Sequence, residues 1–155
     1  MAPPPFQRFF DEHHRDVWRF LVAGVGRDGA DDCFQETFIA ALRAYPRLRA
    51  DSNLRAWVLT IAHRKALDHH RARARRPIPV AEPPEPQHQD APTADHEDTW
   101  PRVRELPARQ RAVLTLRYAG DLTYAEIAQA LGTTEEAARQ AAAAGRSRLR
   151  IELKR

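Results

Sequence analysis

The chain has 155 residues, a formal net charge of +4 and a hydrophobic fraction of 43%. That length suits one ordinary domain or two small ones, and no apolar run approaches the roughly 20 residues of a membrane-spanning helix, so membrane insertion is not expected. Cys33 is the single cysteine, which excludes an internal disulfide and fits a reducing cytoplasm.

Three helices are expected in the front half. Phe6, Phe9, Phe10, His13, Val17, Phe20 and Leu21 recur at helical spacing. Ala30, Cys33, Phe34, Thr37, Phe38, Ala41, Leu42 and Tyr45 repeat the pattern, and Leu54, Trp57, Val58 and Ile61 open a third stripe. Phe34, Phe38, Leu42 and Trp57 are assigned to the core. Gly24, Gly26 and Gly29 punctuate the first junction, and Pro46 with the polar run 49–53 punctuates the second. Asp51 or Ser52 is placed to cap the third helix, and Asp31 and Asp32 suit the positive end of the second.

Residues 77–99 carry Pro77, Pro79, Pro83, Pro84, Pro86 and Pro92, which deny the backbone the donors and φ freedom of a stable helix. With few apolar residues, this stretch reads as a flexible linker. In the rear half, Leu106, Val113, Leu114 and Tyr118 form one apolar stripe, with Pro107 in its first turn. Thr123 to Glu126 is a capping box, Gly132 a turn residue, and Thr133 to Glu136 a second capping box. Two capped helices around a short glycine turn read as a helix-turn-helix. Ala138, Ala142, Gly145, Leu149 and Leu153 share the inner face of the last helix. The expected fold is all-α. Two small helical domains, 6–76 and 100–155, are joined by the acidic, Pro-rich flexible linker 77–99.

Charge is segregated along this framework. Arg55, Arg64, Lys65, Arg71, Arg73, Arg75 and Arg76 meet only Asp68 within their stretch, whereas 77–98 contain Glu82, Glu85, Asp90, Asp95, Glu97 and Asp98 and no Lys or Arg. Such a distribution favours a polyanionic partner. A helix-turn-helix inserts one helix into a major groove, where polar side chains meet base edges and cations meet phosphates. The stretch from Thr134 to Arg150 is that candidate, with Arg139, Gln140, Arg146 and Arg150 as donors. Ala141 to Ala144 strengthen the helix but offer no hydrogen bond. The adjacent pairs His13–His14 and His69–His70 point about 100° apart on a helix, so no metal is assigned to them. No P-loop, nucleophile elbow or thiol–base pair is present, and neither enzymatic chemistry nor a cofactor is expected.

These segments together resemble the bacterial sigma-70 family of RNA polymerase sigma factors, in its extracytoplasmic-function group. The front half is similar to region 2 in 31–38 (DDCFQETF), 54–62 (LRAWVLTIA) and 66–68 (ALD); the rear half is similar to region 4 in 106–114 (LPARQRAVL) and 122–128 (LTYAEIA). The resemblance implies that Asp31, Asp32, Gln35 and Glu36 dock on the beta-prime clamp coiled coil of RNA polymerase core. It implies that Asp51, Ser52 and Asn53 read the −10 promoter element, with capping as the alternative role of Asp51 and Ser52. Arg55, Arg64, Lys65, Arg71, Arg73 and Arg75 would hold the strand. Thr134, Arg139, Gln140, Arg146 and Arg150 would read the −35 element. It further implies contact with the beta flap and inhibition by an anti-sigma protein. Two other readings remain open at this point. One is a helix-turn-helix regulator of duplex DNA, and the other a sigma-like adaptor without promoter-specific initiation.

Overall fold

The computed structural model describes residues 3–75 and 99–153. The expected linker, apart from Thr99, lies outside the described residues, as do Arg76 and the side chain of Leu153. All regular structure among the described residues is helical. Helix α1 (Phe6–Ala44) is followed by a 3-10 turn (Tyr45–Arg47) and by α2 (Leu54–Arg75). The rear half holds α3 (Trp100–Arg104), α4 (Ala108–Leu114), a wide π turn (Thr115–Ala119), α5 (Tyr124–Leu131) and α6 (Glu135–Leu153).

The first two expected helices are one element broken at a single residue. Gly26 has φ 79° and ψ 166° inside α1, a backbone state that a side chain disfavours. Gly24 and Gly29 stay helical, so only one of the three glycines acts as the junction. Asp31 and Asp32 therefore lie about a turn inside the second segment rather than at its start. At α2 the cap is Asn53, not Asp51 or Ser52: Ala56 N–H donates to Asn53 Oδ1 at 3.1 Å. The chain turns at Ser52, whose N–H donates to Arg49 O, and so delivers the next residue to the cap position.

Aromatic rings close the front half. Phe9 is fully buried and meets Phe6, His13, Phe38, Tyr45 and Trp57 at centroid separations of 5.2–6.3 Å. Trp57 is half-buried, and Phe34 packs against Phe10, Trp18 and Phe38. Leu42 departs from the expected core and is 55% exposed. Ala41 takes the inward position, and the next residue lies about 100° round the helix.

In the rear half, Val113 and Leu114 are buried as expected, but Tyr118 is 54% exposed. The cause is the π turn, in which Gly120 N–H donates to Thr115 O. Its wider winding shifts register, so Thr115 and Leu116 are buried in place of Tyr118. Pro107 serves as the N-cap of α4 rather than within its first turn. The capping box of α5 forms, with Thr123 Oγ1 accepting Glu126 N–H and Glu126 Oε1 accepting Thr123 N–H. Gly132 ends α5 with φ 65°, the left-handed state glycine accepts. The second box does not form. Thr134 alone caps α6, accepting Ala137 N–H at 3.0 Å, because the residue three positions on is alanine. Ala138, Ala142, Gly145 and Leu149 face inward as expected.

The two halves pack on each other. Arg104 donates Nε–H to Ala23 O at 3.0 Å and Nη2–H to Val22 O at 3.1 Å, and His70 Nε2–H donates to Gly24 O at 2.8 Å. A helix would normally bond carbonyls 22–24 to the amides four residues on. The backbone breaks at Gly26, and beside that break these carbonyls accept from side chains of α2 and α3.

Candidate nucleic-acid interface

The loop before α2 presents Asp51 and Asn53 at the surface, with Ser52 half-buried between them. Asn53 Nδ2–H also donates to Glu126 Oε2, in α5 of the other half, at 2.6 Å. Arg55 is held rather than free: its Nε lies 3.1 Å from Asp16 Oδ2 on α1. Arg64, Arg71, Arg73 and Arg75 are exposed along α2, and Lys65 is half-buried. The sequence reading places exposed cations along α2 on more than one of its faces, but misses Asp16 as the partner that orients Arg55.

Asp31, Asp32, Gln35 and Glu36 are all exposed on the second segment of α1. Ile39 is 50% exposed and Leu42 55% exposed, at helical spacing from them. An acidic patch thereby runs into an apolar one, the composition of a protein-docking face rather than of a nucleic-acid one. Ile39 was legible as a residue outside the apolar stripe. Leu42 was not, because it lies at the edge of that stripe.

In the rear half the outer face of α6 shows Arg139, Gln140, Ala143, Ala144 and Arg150, with exposed Thr134 at its N-terminus. Arg139 is braced by Glu135 at 3.5 Å and lies 5.4 Å from the Tyr124 ring centroid. Arg117 sits 4.7 Å from the same centroid. Arg146 Nη1–H donates to Tyr118 Oη at 3.2 Å and Tyr124 Oη at 3.5 Å. The Tyr124 hydrogen bond leads in raising the Arg146 pKa. Tyr118, Tyr124 and Arg117 were absent from the sequence-based site. The π turn that brings Tyr118 outward has no residue signature to reveal it.

Between the halves lies a cavity of about 20 Å³ lined by His63, Ala66, His70, Arg111 and Thr115 among others. Burial, reinforced by Arg111, Arg64 and His70, holds the His63 pKa down to about 4. Burial also lowers His70, chiefly against its hydrogen bond to Gly24 O. Cys33 is pushed up to about 11 by burial and by Glu36, Asp32 and Asp68, which keeps the thiol protonated. His14 Nδ1–H donates to Phe10 O and its ring stacks on Phe10. Among the described residues no group of three or more His, Cys, Asp or Glu could hold a metal ion. Among them, too, no helix is long and apolar enough to cross a membrane.

Exposed cations on α2 and α6, with an acidic and apolar face on α1, set the chemistry against which the relatives are compared. Residues 9–76 match the family model of sigma-70 region 2, and residues 102–149 match that of sigma-70 region 4. The chain belongs to the sigma-70 family, in its extracytoplasmic-function group. It is 37% identical over 146 residues to the ECF RNA polymerase sigma factor SigD of Mycobacterium tuberculosis, covering 87% of this chain and 69% of that protein. It is 33% identical over 132 residues to the probable RNA polymerase sigma-C factor of Mycobacterium bovis, covering 81% and 71%. The fold is similar to that of the sigma factor RpoE in its co-crystal structure with the anti-sigma factor NepR from Bartonella quintana. The TM-score is 0.77 at 23% identity, with 96% of each chain covered. It is also similar to that of CnrH bound to the cytosolic domain of CnrY, with TM-score 0.72 at 21% identity, covering 96% of this chain and 87% of that one.

Proposed function

We propose that this chain binds RNA polymerase core and directs it to promoters, supplying specificity while the polymerase performs all the chemistry. The observation that carries this reading is the ordered pair of region 2 and region 4 matches on one chain. A helix-turn-helix regulator would need only the second. Residues 6–76 form the module that docks on core through Asp31, Asp32, Gln35 and Glu36, with Ile39 and Leu42 as its apolar continuation. Within the same module, Asp51, Ser52 and Asn53 read the −10 element, and Arg55, Arg64, Lys65, Arg71, Arg73 and Arg75 hold the strand. Residues 100–155 form the −35 module, in which Arg139, Gln140, Arg146 and Arg150 reach DNA and Thr134 sets the start of the recognition helix. Residues 77–99 link the two, and linkage raises the joint affinity of two modest contacts. The protein works in the cytoplasm without a cofactor. Relatives of this fold occur in complexes with NepR and CnrY, which supports an anti-sigma partner here.

The test is to add the purified chain to RNA polymerase core on a genomic template and map transcript 5′ ends. New start sites sharing upstream elements are expected. A chain that neither binds core nor redirects initiation refutes the reading. The double reversal Asp32→Lys/Glu36→Lys should weaken core binding while leaving the unfolding midpoint nearly unchanged, since both side chains are exposed.

A further inference from the structure

The first cations of α6 stand on its flank, not on its outward face. Arg139 and Arg146, at i and i+7, share one side of the helix. Both are turned to Tyr124 of α5. The Arg139 guanidinium lies 5.4 Å from that ring centroid, and Arg146 Nη1–H donates to Tyr124 Oη and Tyr118 Oη. Glu135 braces Arg139 from the same side at 3.5 Å. Ala138, Ala142, Gly145 and Leu149 fill the inward face. Opposite them stand Glu136, Gln140, Ala143, Ala144 and Ser147, all exposed and none cationic. Arg148 and Arg150 are exposed too, but they belong to the last turns, beyond the N-terminal part of a recognition helix that meets base edges.

We propose that Gln140 sets the base specificity of this helix: it reads an adenine, the methyl groups of Ala143 and Ala144 meet neighbouring thymines, and no guanine is read at the centre of the site. The inference rests on the reading of α6 as the −35 reader and says which bases that reader selects. A carboxamide pairs a donor with an acceptor, which matches adenine N7 and N6–H. Guanine presents two acceptors, O6 and N7, and its matching partner is a cation. The guanidiniums of Arg139 and Arg146 are held by tyrosines on the flank, beside the backbone of an occupied groove, where they serve phosphates rather than bases. An alanine methyl gives a base edge only apolar contact, and in the major groove that contact is with the thymine C5-methyl. The Glu136 carboxylate only accepts, so it takes an exocyclic amine hydrogen of adenine or cytosine and opposes the acceptors of guanine. The Ser147 hydroxyl both donates and accepts, and so discriminates little.

The test uses the full chain assembled with RNA polymerase core. A promoter library is randomised across the −35 element behind the fixed −10 segment of a mapped start site, and a barcode in each transcript reports its template. Active templates should share an adenine whose replacement by guanine lowers initiation about tenfold. With Gln140→Arg, an exposed position given another good helix former, that one position should switch to guanine while the others hold. Deoxyuridine in place of a selected thymidine removes only the methyl and should lower initiation about threefold. Arg146→Ala should weaken initiation by a similar factor on every template and leave the selected bases unchanged, as loss of a phosphate contact does. Three results overturn the proposal and leave the sigma reading in place: a selected guanine that disappears with Arg139→Ala or Arg146→Ala, a base preference indifferent to Gln140→Arg, or initiation with no base selected at −35. Undiminished initiation on the deoxyuridine template overturns the thymine contact. If no template initiates with the native chain, the sigma reading fails and the proposal falls with it.

Discussion

Acidification should loosen this molecule through one histidine. His63 has a folded pKa of about 4 against an ordinary 6.5, held down first by burial and then by Arg111, Arg64 and His70. Above 6.5 the ring is neutral in both the folded and unfolded chain, and it exacts no penalty. As pH falls from 6.5 towards 4, the unfolded chain takes up a proton that the folded chain refuses, so stability is lost across that window. Linkage gives a loss of about 2 kcal/mol on moving from about pH 7.5 to about pH 5. The lowered pKa of His70 acts in the same direction. Urea unfolding of the native chain and of His63→Gln at both pH values isolates the histidine, because carboxylate titration is common to both proteins. The native chain should lose about 2 kcal/mol more than the variant over this interval. A pH dependence equal in the two proteins to within about 0.5 kcal/mol would refute the assignment of His63 as a buried, neutral seam residue.

Phe9→Ala empties the centre of the aromatic cluster, where the side chain is fully buried. It should cost about 3–5 kcal/mol by urea unfolding, and a loss under about 1 kcal/mol contradicts the packing described. Thr123→Ala removes one half of the reciprocal cap of α5 and should cost about 1 kcal/mol in the same assay, with no effect indicating that α5 is held by its neighbours alone. Promoter affinity should fall steeply with salt in an anisotropy titration, and Arg139→Ala should shallow the logarithmic slope by roughly one. A flat response in the native chain removes the polyanion argument.

The helices and their inner faces were legible because 3.6-residue periodicity and burial are the same physical fact. Ala138, Ala142 and Leu149 needed no structure to be placed inside. Caps were less legible. Asp51, Ser52 and Asn53 are all competent acceptors, and only the turn at Arg49–Ser52 decides that Asn53 reaches the α2 amides. Thr133 and Thr134 posed the same ambiguity, and a one-residue shift removed the expected glutamate from reciprocal range. Tyr118 went astray because a π turn changes the winding without changing the composition. The exposed cations of α2 were readable from charge alone, whereas the Asp16–Arg55 and Asn53–Glu126 pairs join residues remote in sequence, and no local pattern encodes such pairs.

The fracture at Gly26 is also a mooring. Beside its break, α1 presents three successive oxygens to guanidinium and imidazole groups that arrive from elsewhere in the chain. A mutation that straightened the break would shift those oxygens and loosen the hold on the other module, although no exposed cation had changed. In this architecture the attachment of one half is written into an imperfection of the other.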